Sequence, residues 1–230
     1  MRVNQLPKRV AQRSWRMGYA AASQVVPRYR AMSVGAANSL CTRERLAGLQ
    51  KVAGMVRARG VAGDVIECGV YRGGSAVVIG ERLLNDSHKR AMWLFDVFSG
   101  MPQPSAHDPA EAWDHLGQYV SSEETVRQTF RAARLPLDRV HIVVGRFEDT
   151  LHGFHPSPIA FLHVDCDWYE PVKLCLHRFY DAVVPGGVVV LDDYGCWSGC
   201  RKAVDEWLAE RSLRVQLTAI DETSHFFVKP

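Results

Sequence analysis

Between residues 64 and 211, short apolar runs alternate with stretches of helical period, and this alternation constrains the fold more than any other feature. Runs of strand length are Asp64 to Cys68, Ala91 to Val97, Val140 to Val144, Ile159 to Val164 and Val188 to Leu191, the last after a Pro185-Gly186-Gly187 turn. Helical spacing falls between them, from about Ser75 to Leu84, Glu123 to Arg134, Pro171 to Asp181 and Gly199 to Arg211. Thr42 to Arg59 is a further helix, with Leu46, Leu49, Val52, Ala53 and Val56 at core spacing and a stop at Gly60. Strands separated by helices can pair only in parallel, with the helices covering both faces of the sheet. Two closing segments, Val215 to Ala219 and His225 to Val228, flank an Asp221-Glu222-Thr223 turn and predict an antiparallel hairpin. Ser99 to Ser122, with Pro102, Pro104 and Pro109, reads as a long loop or lid.

The expectation is therefore an α/β protein with a doubly wound, mostly parallel sheet, a C-terminal hairpin and N-terminal helices. A chain of 230 residues, 47% of them hydrophobic, can bury such a core, which excludes a disordered protein or a small disulfide scaffold. No apolar run approaches the ~18 residues that a membrane span needs. The six cysteines have neither paired zinc-site spacing nor the density of secreted scaffolds, and read as free thiols in a reducing cytoplasm.

The net charge of +3 hides an asymmetry. Residues 1–60 hold 12 Lys and Arg against one acid, Glu44, whereas residues 61–230 hold 16 against 24. The expected division is a basic helical arm or lid over 1–60 and a ligand-binding domain over 61–230. A targeting peptide or nucleic-acid arm is the other reading of the first 30 residues. Pro7 and Pro27 interrupt any long helix there, and the aromatic residues lack the sheet motif of a single-strand binder.

In an open parallel sheet, ligands bind outside the carboxyl ends of the strands, so polar residues just after strands are site candidates. The first such block is D-V-I-E-C-G-V-Y-R-G-G-S, residues 64–75. Its glycines let backbone approach a ligand before a helix N-terminus, and Glu67 at the strand tip suits an amino group or a sulfonium. The glycine spacing is not that of the dinucleotide fingerprint, which sets aside a Rossmann dehydrogenase. The second is L-F-D-V-F-S-G, residues 94–100, where Asp96 is placed for ribose hydroxyls. The third pairs H-V-D-C-D-W-Y-E, residues 163–170, with V-L-D-D-Y-G, residues 190–195. Asp165, Asp167, Asp192 and Asp193 then crowd one sheet edge, and so many carboxylates repel unless a cation such as Mg²⁺ joins them.

Together E-C-G-V-Y-R-G-G-S, D-C-D-W-Y and V-V-P-G-G-V-V-V-L-D-D-Y-G followed by G-C-R-K-A-V-D-E-W resemble the macrocin O-methyltransferase family over about residues 40–230. The resemblance implies a class I methyltransferase sheet of Rossmann-like type, S-adenosylmethionine in the first-strand crevice and a Mg²⁺ ion beside it. It implies Glu67, Gly69, Tyr71 and Ser75 around the methionine part and Asp96 at the ribose. Ser99 is set against the serine of the family's D-S-F-E-G block, which here reads D-V-F-S-G, and Phe147 in G-R-F-E-D-T-L against the position near the adenine. Asp165, Asp192 and Asp193 match the metal ligands and Asp167 the general base.

The expected reaction is methylation of a hydroxyl, most simply a sugar hydroxyl of a glycosylated natural product or its precursor, in a cytoplasmic homo-oligomer without nucleic-acid or membrane partners. A phenol or cyclitol acceptor would suit the same chemistry. The rival readings are a D-x-D glycosyltransferase using Asp165-Cys166-Asp167 and a non-catalytic nucleoside sensor.

Overall fold

Alternation along each strand decides the layering of the computed structural model, which describes residues 26–230. Val65 in β1 (Asp64–Cys68) and Val188 and Val190 in β5 (Val183–Leu191) enter one apolar core. Ile66, Leu162 in β4 (Ile159–Val164) and Val189 enter the other. All six residues of β4 are buried, as befits a strand covered on both faces. With β2 (Met92–Asp96), β3 (Val140–Val144), β6 (Thr218–Ala219) and β7 (His225–Val228) they form one sheet in the order β3-β2-β1-β4-β5-β7-β6. The first five strands pair in parallel, and β7 runs antiparallel to both β5 and β6.

Four helices, α1 (Pro27–Ala37), α2 (Arg43–Ala58), α3 (Gly74–Leu83) and α4 (Glu123–Ala133), contribute to the first core. The second lies under α6 (Tyr169–Phe179) and α7 (Ser198–Glu210), with Phe147 of the short α5 (Phe147–Thr150) packed at its margin. Side-chain oxygens of Thr42 and Ser122 accept backbone N–H groups three residues on, which caps α2 and α4 and fixes where they begin.

Met32, Leu46, Leu49, Val52, Ala53 and Val56 place α1 and α2 in the same core as the sheet. Pro27 opens α1 directly after the extended Val26, so no helix runs through it, and it stands where its missing N–H has no partner to lose. Expectations for residues 1–25, including the targeting and nucleic-acid readings of the arm, lie outside the described residues. Gly35 of α1 sits directly on Gly74 of α3: a Cβ on Gly35 would lie 2.7 Å from the Gly74 carbonyl oxygen. That contact seats the end of α1 on the start of α3 and carries the Asn38–Cys41 loop to the carboxyl edge of the sheet.

Several details differ from those expected, among them the helix expected over Pro171 to Asp181, which runs Tyr169–Phe179. Pro185, Gly186 and Gly187 lie inside β5, not before it: the β4–β5 register jumps from Ile159↔Val183 to Phe161↔Val188, and Gly186 absorbs the bulge at φ +80°. The hairpin pairs only Thr218 and Ala219 with β7. The long loop holds a 3₁₀ turn, Ala110–His115. All six cysteines are free, and no helix among the described residues is long and apolar enough to cross a membrane.

Candidate active site

The strand order reverses between β1 and β4, so a crevice opens at their carboxyl ends. A cavity of about 780 Å³ fills it, a size suited to a cofactor or small molecule. Its walls come from the ends of all five parallel strands: Gly69 and Tyr71 after β1, Asp96 and Ser99 after β2, Phe147 beyond β3, Asp165 and Asp167 after β4, Asp192 and Asp193 after β5. Met101 to Ser105, Leu116 and Tyr119 of the long loop close its outer side.

Backbone geometry brings these ends together. A Cβ on Gly69, at φ +86°, would lie 1.6 Å from the carbonyl oxygen of Asp165, so only glycine lets the β1 and β4 tips approach this closely. Tyr71, Phe98 and Asp167 each adopt left-handed φ values, 49°, 56° and 59°, just past β1, β2 and β4. Such conformations cost about 1–3 kcal/mol apiece in non-glycine residues and concentrate at functional sites.

At one end, Ser75 in the first turn of α3 is buried at the cavity wall, and Gly73 caps that helix without a side-chain hydrogen bond, leaving N–H groups for a ligand. Asp96 lines the cavity while its Oδ2 accepts the N–H groups of Val70 and Tyr71 at 2.7 and 2.8 Å and its Oδ1 accepts that of Phe98 at 2.7 Å. The carboxylate thus ties the loops after β1 and β2 together, and its remaining lone pairs can take ligand hydroxyls. Ser99 is exposed and Phe147 half-buried at the wall; Tyr71 meets Tyr119 edge-on at 6.1 Å. Glu67, expected beside a ligand amino group, is not on the cavity wall. It is fully buried one layer behind, opposite His163 in the strand register.

At the other end four carboxylates meet. Burial, reinforced by the charge of Asp192, pushes Asp165 well above the usual range, although His163 opposes the rise. Asp193 is raised in the same way by burial and by Asp167, Asp165 and Asp192. Burial raises Asp167 to about 6, against a hydrogen bond from the Trp197 indole to its Oδ1 at 3.0 Å. Asp192 alone is lowered: burial works against its charge, but His163 at Oδ1, 3.2 Å away, and Arg45 at Oδ2, 2.5 Å away, outweigh it.

Periodicity did not reveal four of these contributors. Arg45 lies among core-spaced residues of α2, yet it bridges Asp192 and Asp221, the latter at 3.0 Å. His163 is fully buried with Nδ1 2.9 Å from Glu67 Oε1, and those two carboxylates hold it well above its ordinary range despite burial. Trp197 orients Asp167, and Cys41 lines the cavity beside Asp165 and Asp192. The one available signal was charge: residues 1–60 are basic and residues 61–230 acidic, and Arg45 makes one such pairing inside the chain.

The donor set fits a divalent cation. Carboxyls raised by mutual repulsion gain stability on protonation and lose it as pH rises through their folded-state values, for Asp167 from 3.8 to about 6. His163 acts in the same direction and Asp192 in the opposite one. The ion-free protein is therefore expected to melt at a lower temperature at pH 7.5 than at pH 5.5, and Mg²⁺ to raise the melting temperature more at pH 7.5. Scanning calorimetry with and without Mg²⁺ checks this; equal ion stabilisation at both pH values would contradict it.

Comparison with known proteins places these features in context. Residues 11–229 match the family model described as Macrocin-O-methyltransferase (TylF). The chain is 33% identical, over 83% of its length and 75% of the relative's, to the 8-demethyl-8-(2,3-dimethoxy-alpha-L-rhamnosyl)-tetracenomycin-C 4'-O-methyltransferase of Streptomyces olivaceus. It is 32% identical, over 80% and 76%, to the mycinamicin III 3''-O-methyltransferase of Micromonospora griseorubida. The solved O-methyltransferase NovP superposes with a TM-score of 0.76 at 30% identity, over 84% of this chain and 82% of that one. The calicheamicin methyltransferase CalS11, at 17% identity and a TM-score of 0.66, shares the fold.

Proposed function

Because the chain belongs to the macrocin-O-methyltransferase family, we propose that it uses S-adenosylmethionine and a divalent ion, Mg²⁺ by preference, to methylate a sugar hydroxyl of a glycosylated secondary metabolite. The enzyme is an O-methyltransferase acting on a secondary-metabolite hydroxyl; the sugar, the cofactor and the ion are our reading. Family membership sets aside the glycosyltransferase and sensor alternatives. The observation that carries the reading is the meeting of Asp165, Asp167, Asp192 and Asp193 in one cavity with the glycine-rich β1–α3 turn and Asp96.

S-Adenosylmethionine supplies the methyl group, and its nucleoside and amino-acid parts fit the end formed by Gly69, Tyr71, Ser75, Asp96, Ser99 and Phe147. Asp165, Asp192 and Asp193 would hold the ion. A bound divalent ion stabilises negative charge developing on an acceptor oxygen. Asp167 takes the proton of the acceptor hydroxyl, with Trp197 fixing Oδ1 and leaving Oδ2 for that proton. An ordinary aspartate is a weak base, and burial raises Asp167 to about 6, nearer the working pH. The chain's own part would be to hold the acceptor hydroxyl in the same cavity, with Asp167 at one end and the nucleoside-binding residues at the other. Met101 to Ser105, with Leu116 and Tyr119, line that volume from the long loop. Residues 27–58 form a wall of the same site, since Asn38 to Cys41 and Arg45 line the cavity.

Two measurements test the proposal. Calorimetric titration with S-adenosylhomocysteine is expected to give one site per chain. Incubation with methyl-labelled S-adenosylmethionine, Mg²⁺ and a panel of glycosylated natural products is expected to place label in a sugar methyl ether. Absence of nucleoside binding would overturn the cofactor reading, and label confined to phenolic acceptors would overturn the sugar.

A further inference from the structure

The ion site holds one group that does not suit magnesium. Cys41 Sγ and one carboxylate oxygen each from Asp165 and Asp192 lie within 4.8 Å of one another. Bonds of ~2.0 Å to oxygen and ~2.3 Å to sulfur in a tetrahedral site set the ligand atoms roughly 3.3–3.5 Å apart. Side-chain rotation of about 1 Å would therefore close the set on an ion.

The backbone that carries the thiol is held from both sides. Ser39 Oγ accepts the N–H of Cys41 at 2.9 Å, Thr42 caps α2 immediately after it, and the end of α1 is seated on Gly74. On the acid side, Asp192 is fixed from two directions, by His163 at Oδ1 and Arg45 at Oδ2.

A second observation bears on the same residue, Asp165. Glu67, His163 and Asp165 form another set with ligand atoms within 4.8 Å, sharing Asp165 with the first, and Glu67 Oε2 is buried without a hydrogen-bond partner. Arg45 is committed to Asp192 and Asp221. Asp165 therefore has no Lys or Arg partner among the described residues, and His163 is the basic group that faces it.

We propose that Cys41 is a further ligand of this ion site, joining Asp165 and Asp192, and that its sulfur raises the affinity for borderline-soft divalent ions such as Zn²⁺ and Co²⁺ above what the aspartates alone would give, while leaving Mg²⁺ binding to the aspartates. The inference rests on the divalent-ion reading of the aspartates. Mg²⁺ demands oxygen ligands in octahedral geometry and keeps its waters, so a sulfur neighbour adds nothing to its binding. Zn²⁺ and Co²⁺ accept mixed sulfur and oxygen donors in tetrahedral geometry and gain from thiolate.

Cobalt is the probe, because a thiolate ligand gives Co²⁺ an intense near-ultraviolet charge-transfer band separate from its visible ligand-field bands. The whole chain is titrated with Co²⁺ alongside Cys41→Ser, Cys41→Ala and, as a control for the exposed thiol, Cys196→Ser. The expected result is a charge-transfer band in the wild type and Cys196→Ser that both Cys41 variants lose while keeping the visible bands of bound Co²⁺. Zn²⁺ affinity is expected to fall in the Cys41 variants by at least the ~10–100-fold that loss of a group behind a ligand costs, with Mg²⁺ affinity unchanged. Co²⁺ bound without a thiolate band, or a band that survives in both Cys41 variants, overturns the proposal and leaves the aspartate site standing. Failure of Co²⁺ and Mg²⁺ alike to bind overturns both.

Discussion

Asp167→Asn is expected to lower kcat by ~10²–10⁴-fold, the usual contribution of a positioned general base, without weakening S-adenosylhomocysteine binding. The substitution keeps the shape of the side chain, and its amide oxygen can still accept the Trp197 indole N–H that Asp167 Oδ1 accepts at 3.0 Å. The left-handed backbone at φ 59° is one that asparagine tolerates well. Folding and nucleoside binding should therefore survive, and the loss should lie in the proton-transfer step. In the wild type, kcat/KM is expected to fall as pH drops through the range in which Asp167 takes up its proton, near 6 before ion binding. A variant with near wild-type turnover would show that the acceptor proton leaves by another route. Weakened S-adenosylhomocysteine binding would place Asp167 at the cofactor instead.

Which parts of this arrangement could be read from sequence follows from how local their causes are. Strand β4 and helix α2 are each set by their own periodicity, and the sequence boundaries of both agree with the structure to within a residue. The glycine block after β1 was legible because Gly69 meets a steric demand that no other residue satisfies. Likewise, acids directly after β4 and β5 must share an edge once those strands are neighbours in a parallel sheet.

Glu67 shows the limit of such reasoning. Its place at the strand tip was legible, but the neighbour its side chain meets, His163, follows from register with β4, and register is not local. Arg45 and Cys41 were invisible for a related reason. Their roles arise from the contact between Gly35 and Gly74 that carries the α1–α2 loop across the sheet edge. No spacing within residues 27–58 announces which carboxylates that loop will reach.

The proposed ion site yields the second large effect, and the two aspartates beside Cys41 should answer mutation in opposite ways. Several kcal/mol of transition-state stabilisation from a bound ion, at 1.36 kcal/mol per tenfold in rate, sets the expected loss on chelation at about 10²–10⁴-fold. Asp165→Asn should reproduce that loss. Asp165 is raised by burial and like charges and pairs with no Lys or Arg among the described residues, so neutralising it removes repulsion and should raise the melting temperature of the ion-free protein. Asp192→Asn should lose activity too, but it withdraws the carboxylate from Arg45 and His163, both largely buried. Breaking a buried pair costs about 3–5 kcal/mol, reduced here because Arg45 keeps Asp221, so this variant should melt below the wild type. Parallel melting curves and Mg²⁺ titrations of the two variants read the difference. An Asp165→Asn protein that is less stable than wild type without ion, or that still binds Mg²⁺ with wild-type affinity, would show that Asp165 belongs to the scaffold and not to an ion site.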